Sequence, residues 1–586
     1  MEQPDTLLVA ARLRNADPKN AITVTVESIG LDSARLRTST PVAVGKIEAG
    51  QSAILQASFN DPLTPGKSYQ LVVAGSYEPA QYGGRRLPFK VVGRITLPPA
   101  APDSAKVSTV TVPPHKVRGA PYPPQKPRFG DEVNGSRWTV PTGRFVPGTP
   151  TPTSTSTEKV VIGDPPAIVF NVNNGVGISG SSIAEPSGGA TGGNVVFLSA
   201  NWFAAFSNNG GGSFTQLNPT TIFPNDAIGY CCDQIVQYVP SIDRFIWLLQ
   251  GNNGFRLAAA SSADVINSNG TAWTYWNLPS DLFGQPNGTG VDYPDLSVGN
   301  NSLYMSWDVG WPSCPANCRW GFQVSRISLA GIQAGGTITI DYTNPPDATM
   351  CWGGHLMQNT LDEIFWAGHN SNSQMRVFSL QEGSNTYFWR DVGVFTWANN
   401  ALSSTTPDGQ NWLAGSGGFP GNAVIGSTRV GNQLWFAWNA GTDRNFQQPH
   451  VEMVTLDRNN NFNRLQQVQI WNNDYAFAYP SLATNACTGE VGLSFEYGGN
   501  GNYENHVVGF WGDFVAYITT GSDVGTTRFG DYVTIRQTPR TREDPGNLFN
   551  AYGYGLNRVA PPGAGTRTDV HYVVFGRPAA QCRGNG

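Results

Sequence analysis

The residues in this chain best placed to do chemistry are carboxylates and a few cations that stand at the start of short apolar runs. They are Glu185 in Ala184-Glu-Pro186, Asp233 after Cys231-Cys232, Asp292 with Asp295, His355, Arg429, and Asp531 in Phe529-Gly-Asp-Tyr532. Only 13% of the residues are charged, so ionisable groups in these places are informative. Carboxylates that converge from several strands can serve as general acid and base on a glycosidic bond. The same groups can bind a calcium ion, or bond neighbouring amides and hold sheets together. Asp531 and Tyr532 are preferred as the catalytic centre, because Arg536, Arg540, Arg542 and Glu543 follow in what reads as a loop able to fold over the site. Arg540 and Arg542 can clamp a uronate or sialate carboxylate by bidentate bonds, or form ion pairs within a solvated loop.

Aromatic residues are the second group. Trp307, Trp311, Trp320, Trp352 and Trp412 lie near Gly- and Asn-rich stretches. Their faces can stack on sugar rings, or pack sheets together. Glu496-Tyr497, with Tyr503 and His506, reads as a Gly/Asn-rich loop; adjacent strand residues point to opposite faces, so Glu496 is not expected to activate Tyr497. His355 and His369 are isolated in sequence. No Ser/His/Asp order, phosphate loop or His-rich motif is present. Of seven cysteines, Cys314 and Cys318 can close a small loop, and Cys231-Cys232 read as two thiols on opposite faces of a strand. No metal site is assigned and no cofactor is expected, a structural calcium ion being the one alternative.

These residues must be positioned by strands. Val291 to Trp307 reads as a strand, a turn at Gly299-Asn-Asn301 and a second strand. The same grammar returns seven times, in the apolar runs at Asn194, Arg244, Leu303, Glu363, Gln433, Glu490 and Asn547. One unit of three or four antiparallel strands per roughly 55 residues is the signature of a propeller blade. The expected fold is all-β: a seven-bladed, alternatively six-bladed, β-propeller over 163–586 that follows a β-sandwich over 1–98 and a Pro/Thr-rich linker over 99–162. Ala167-Ile-Val-Phe-Asn-Val can supply the last blade with an outer strand and so close the ring.

Ser207-Asn-Asn-Gly-Gly-Gly-Ser-Phe214 resembles the Asp-box of sialidase-like propellers, also called the BNR repeat, with Asn209 at the Asp place. Thr405-Thr-Pro-Asp-Gly-Gln-Asn-Trp412 resembles a second copy, and Asn269-Gly-Thr-Ala-Trp273 a fragment of a third. Such a turn is structural: a short side chain bonds its own backbone and an aromatic plugs between strands. The resemblance implies the scaffold over about 165–580. Sialidases of this kind also carry an Arg triad, a Tyr/Glu nucleophile pair and an Asp acid/base. The early Arg-Ile-Pro segment is absent here, so the resemblance implies the scaffold rather than sialidase chemistry. The N-terminal module resembles bacterial immunoglobulin-like or fibronectin-like domains.

Net charge is −5 without a basic run, which argues against nucleic-acid binding, and no apolar stretch approaches a membrane span. Met1-Glu-Gln-Pro-Asp-Thr has neither the basic nor the apolar region of a signal peptide. The expectation is an extracellular or cell-surface monomer whose partner is a polysaccharide or glycan. Its catalytic residues would be Asp531, Tyr532, Asp233, Asp295 and Glu185. Substrate would be bound by Arg540, Arg542, Arg429, His355, Trp307 and Trp352, in a glycoside hydrolase or polysaccharide lyase. A non-catalytic lectin- or adhesin-like propeller is the alternative.

Overall fold

A computed structural model describes residues 7–32, 34, 36–59, 67–82, 84–96, 103–119, 139–141, 167–173, 178–179, 183–285, 289–310, 321–344, 354–414, 423–512, 515–519, 521–539, 548–558 and 566–577. The chain divides into two compact units, Met1–Pro102 and Asp103–Gly586.

The first unit is two antiparallel sheets over one core. Leu7–Arg14 pairs with Ser52–Phe59, and the second sheet runs Val42–Ile47, Ile22–Leu31, Ser68–Pro79, Leu87–Thr96. Strand alternation explains the burial: Val24 and Val26 face inward. A register shift between Val26 and Ser28 then moves the phase by one residue, so that Ile29 and Leu31 face the same core. Leu55, Ala57 and Phe59 meet them from the other sheet.

The second unit holds, among the described residues, seven antiparallel sheets of four or five strands. Their first strands are Ser187–Ala190, Gln234–Val239, Gly290–Val298, the short stretch 355–358 ahead of Glu363–Ser371, Gly426–Val430, Ala476–Thr484 and Thr534–Gln537. These lie side by side in a propeller-like ring. Stretch 355–358 bridges the third and fifth sheets: Gln358 Nε2 donates to the Leu296 carbonyl (2.9 Å), and the Gln358 N–H to the Ser427 carbonyl (3.0 Å). The seventh sheet returns to the first, where the Thr534 hydroxyl donates to the Pro186 carbonyl (3.0 Å). The seven apolar runs marked in the sequence are the next strands outward, one per sheet. Each is covered on both faces, so it reads as a continuous apolar run; Arg244–Gly251 is buried throughout after its first residue.

Two edges are closed by chain that lies far off in sequence. Ala167–Asn173 pairs with Thr566–Gly576 and completes the seventh sheet. The stretch read as a linker needs correction. Asp103–Lys106 pairs with the outer strand of the fourth sheet, Ser108–Val112 with that of the third, His115–Arg118 with that of the second, and Thr139–Pro141 with that of the sixth. Ser-Thr-Val-Thr-Val alternates as a strand should, and the prolines Pro113 and Pro114 fall between strands rather than in them. Edge pairing tolerates this composition and hides otherwise open strand edges. The turns that resemble Asp-boxes bond their own backbone. Ser207 Oγ accepts from the Gly211 N–H (2.8 Å), and Asn209 Oδ1 from the Ser213 N–H (2.9 Å). In the second turn Thr406 Oγ1 accepts from the Gln410 N–H (3.1 Å), while Asp408 Oδ2 reaches outside it to the Gly525 N–H (3.0 Å), and Trp412 is fully buried.

Val112 is buried in the peripheral strand opposite Ile338. Val112→Asp is expected to cost on the order of 3 kcal/mol locally, by burying an unpaired charge. Hydrogen exchange of Ile338–Tyr342 should then accelerate about tenfold or more, while the fifth sheet is unaffected.

Candidate functional site

The N-terminal ends of the first strands converge, and the acids found there come together. Glu185 precedes the first strand of sheet one, Asp233 that of sheet two and Asp531 that of sheet seven, while Asp292, Tyr293 and Asp295 lie in the third. Glu185 ties the group. Its Oε1 accepts the Asp531 N–H (3.0 Å), its Oε2 accepts from Asn201 Nδ2 (2.7 Å), and the carboxyl also hydrogen-bonds Asp233. Asp531 pairs with the Arg528 guanidinium. Asp292 Oδ1 accepts from Gln250 Nε2 (3.1 Å). Tyr532 stands edge-on to Tyr293, with ring centroids 5.4 Å apart, and its hydroxyl is buried without a partner among the described residues. His355 packs between these two rings and its Nε2 is also unpartnered.

Local backbone aims these groups. Glu185, Tyr293 and Tyr479 each precede a proline and adopt φ of 50°, 54° and 57°. Register shifts lie between Asp292 and Asp295 and between Ala478 and Ser481. A bulge with a residue in the left-handed region turns the side chain from the sheet face toward the centre of the ring, at a strain of about 1–3 kcal/mol per residue.

Burial dominates the electrostatics. It pushes the Glu185 carboxyl well above the carboxylate range, reinforced by the charges of Asp233 and Asp531. Asp233 is pushed up to about 8 by burial and then by Asp292. Asp531 is raised by burial, and Arg528 opposes the rise. Burial lowers His355 against the pull of Asp295. The cluster is therefore protonated in part near neutrality, with its negative charge favoured beside Arg528.

Glu185, Asp233, Asp295, Asp531, Tyr532 and His355, all expected from the sequence, share this region. Asp295 lies deeper; its Oδ2 accepts the Leu356 N–H (2.8 Å). Other expectations are corrected. Arg429 is not at the cluster: it is buried at the far end of its strand, where Nη1 donates to the Thr360 carbonyl and to Asp362 (both 2.9 Å). Trp307 is 1% exposed and packed against Phe255 and Phe283, so it has no face for a sugar, and Trp412 is equally buried. Arg536 is in the strand Thr534–Gln537 rather than in a loop. Glu496, Tyr503 and His506 lie in the paired strands Val491–Gly499 and Asn502–Phe510. His369 is buried against Trp397 and Trp438, which holds it neutral with its pKa pushed down to about 3. Cys231 and Cys232 form a vicinal disulfide, because they stand in a turn before the strand and not on opposite strand faces. Arg540, Arg542, Trp311, Trp320, Trp352, Cys314 and Cys318 lie outside the described residues.

Two residues were missed. Arg528 is signalled only by its spacing of three from Asp531. Trp202 adopts φ 76° in the tight turn next to Asn201 and is 47% exposed, edge-on to Tyr230 at 6.1 Å. Its neighbour Asn201 donates to Glu185, so the exposed indole belongs to the turn that holds one of the acids. Among the described residues no group of three potential metal ligands is arranged to hold an ion, and no helix is long and apolar enough to cross a membrane.

No family model matches the chain, and neither does any curated protein. Solved structures give distant likenesses. A puromycin-hydrolysing peptidase of Mycobacterium tuberculosis is 12% identical at a TM-score of 0.32, over 70% of this chain and 57% of that one. Trypanosoma rangeli sialidase in complex with the inhibitor DANA is 9% identical at 0.30, over 57% of this chain and 53% of that one. A Hadza microbial sialidase is 9% identical at 0.29, over 97% and 92%. The chain thus spans little more than half the length of the first two. At these scores the likenesses carry no argument about the site.

A carboxyl whose folded pKa is raised binds its proton more tightly in the folded state. Its stabilisation is full below about pH 4 and is lost as pH rises toward the folded value. Buried neutral histidines act oppositely, and their effect is complete above about pH 7. Between about pH 7 and 9 thermal stability is therefore expected to fall. Asp233→Asn should reduce that slope without abolishing it, since buried Glu504 is also pushed up to about 8. Melting temperatures of both proteins across this range test the assignment.

Proposed function

We propose that this chain is a carbohydrate-active protein that cleaves a glycoside or polysaccharide at the acidic end of its ring of sheets. The observation that carries the reading is the cluster itself: Glu185, hydrogen-bonded to Asp531 and Asp233 from two other sheets, with the exposed Trp202 next in sequence to Asn201, which donates to Glu185. Acids that hold protons near neutrality, next to one paired with a cation, provide the division of labour that general acid and base catalysis on a glycosidic oxygen requires. In this reading the Glu185–Asp233 pair donates the proton. Asp531, beside Arg528, is the ionised partner, and Tyr532 lines the site. Trp202 stacks on a sugar ring next to the cleaved bond. Arg540, Arg542 and Trp352 are kept as candidate substrate contacts.

The scaffold is read as a seven-bladed propeller, one sheet per blade, preceded by an immunoglobulin-like module, with the turns at Ser207 and Thr405 as Asp-boxes. Extracellular action on a glycan by a monomer fits the sparsely charged composition. A glycan-binding protein without turnover is the second reading. It is favoured by the fact that both Glu185 oxygens are already satisfied by internal donors, as in a structural clamp.

A screen on neutral, uronate-containing and sialylated polysaccharides decides between them, following new reducing ends and unsaturated uronate absorbance. Asp531→Asn and Asp233→Asn are expected to lower turnover about a hundredfold or more, as loss of a general acid or base does. Trp202→Ala should weaken substrate binding by about 1–3 kcal/mol, raising KM more than it lowers kcat. Binding of a polysaccharide without product, unchanged in Asp531→Asn, would establish the second reading.

A further inference from the structure

The C-terminal ends of the first strands carry a second site, which meets the acidic region at Asp295, 3.8 Å from Arg536. A cavity of ≈ 430 Å³ is lined there by Gln237, Gln358, Asn359, Thr484, Arg536 and Asn550 among others. These residues belong to the C-terminal ends of the strands whose N-terminal ends carry Asp233, His355 and Asp531, or to their neighbours. Among the described residues no carboxylate lines the cavity.

Arg536 is 7% exposed and its Nη1 donates to the Ile535 carbonyl (3.0 Å). Among the described residues its Nε and Nη2 have no hydrogen-bond partner. Asp295 Oδ1 is 3.8 Å from Nη2, beyond hydrogen-bond reach. A guanidinium offers a fork of donors shaped for an oxyanion, and Arg536, whose charge faces Asp295 at 3.8 Å, keeps two of those donors unfilled. Two acceptors around the cavity are also buried and, among the described residues, unpartnered: Gln237 Oε1 and Asn550 Oδ1. Asn550 is the direct cross-strand partner of Arg536. Donors that require an oxyanion thus stand beside acceptors that require hydroxyls, in a space of the size that holds small ligands.

We infer that this cavity binds a small hydroxylated carboxylate of sugar-acid size. The Arg536 fork takes the carboxylate, and Gln237 and Asn550 take its hydroxyls. The inference uses none of the residues given a role in the catalytic reading, although Asp295 of the acidic region stands 3.8 Å from Arg536.

Titration calorimetry on the full chain, at matched ionic strength, tests it with D-glucuronate, D-glucose and sulfate. D-Glucuronate is expected to bind one to one, with D-glucose at least about tenfold weaker because the charge-assisted bonds are missing. Arg536→Gln should weaken D-glucuronate by about tenfold or more. Asn550→Asp sets a carboxylate opposite Arg536 and should block binding in the same way while raising thermal stability, which keeps the test valid if Arg536→Gln does not fold. Arg528→Gln, at the acidic end, should leave binding unchanged. Absence of binding, or equal binding by wild type and the Arg536 and Asn550 variants, overturns the proposal. Sulfate bound more tightly than D-glucuronate overturns the sugar-acid assignment in favour of a bare oxyanion.

Discussion

The closure of the ring between the seventh and first sheets is the constraint on which the second unit depends. A row of sheets that meets only its sequence neighbours leaves two open faces and two strand edges. Here the seam is made at both radii. Near the axis, Glu185 accepts the Asp531 N–H and the Pro186 carbonyl accepts from Thr534. Farther out, Ala167–Asn173 joins Thr566–Gly576 in one sheet. The polar seam lies where the candidate acids meet, so the groups that close the ring also face its interior. A buried carboxyl is retained only when it is hydrogen-bonded or protonated; Glu185 is hydrogen-bonded, and burial favours its protonated form.

The first strands carry chemistry of opposite character at their two ends. Acids gather at the N-terminal ends, where residues ahead of prolines are held at positive φ and the strands bulge. At the C-terminal ends the cavity is lined, among the described residues, by amides and one arginine, Arg536. Along Gly290–Val298 the third sheet contributes to both: Asp292 and Tyr293 belong to the acidic end, and Asp295 reaches toward Arg536. The apolar clusters between sheets hold the strands in register, while these central groups are left to solvent exclusion and to each other.

The peripheral strands show a different use of polar sequence. Ser108–Val112 and His115–Arg118 bury little, yet they pair with the outermost strands of two sheets. An edge strand needs one good hydrogen-bonding side and tolerates prolines at its ends. A proline-rich stretch can therefore protect sheet edges at small cost in hydrophobic content.

The all-β class, the recurring apolar strand and the strand that completes the last sheet were legible in the sequence, because strand alternation, turn residues and apolar runs are local signals. Glu185, Asp233, Asp292, Asp295, His355 and Asp531 were legible as a group for the same reason: each sits ahead of or within an apolar run in a weakly charged chain. Which of them meet was not local information. The sheets bring together residues 346 positions apart, as in the Glu185–Asp531 bond, and this depends on how the ring closes. Burial was equally hidden. Trp307 and Trp202 are both tryptophans beside polar turns, yet one is enclosed between sheets and the other, held at positive φ in a tight turn, stands in solvent. The residue types and their periodicity were thus determined by the sequence alone. Proximity, exposure and protonation were decided by tertiary structure, because each depends on neighbours that packing supplies from distant parts of the chain.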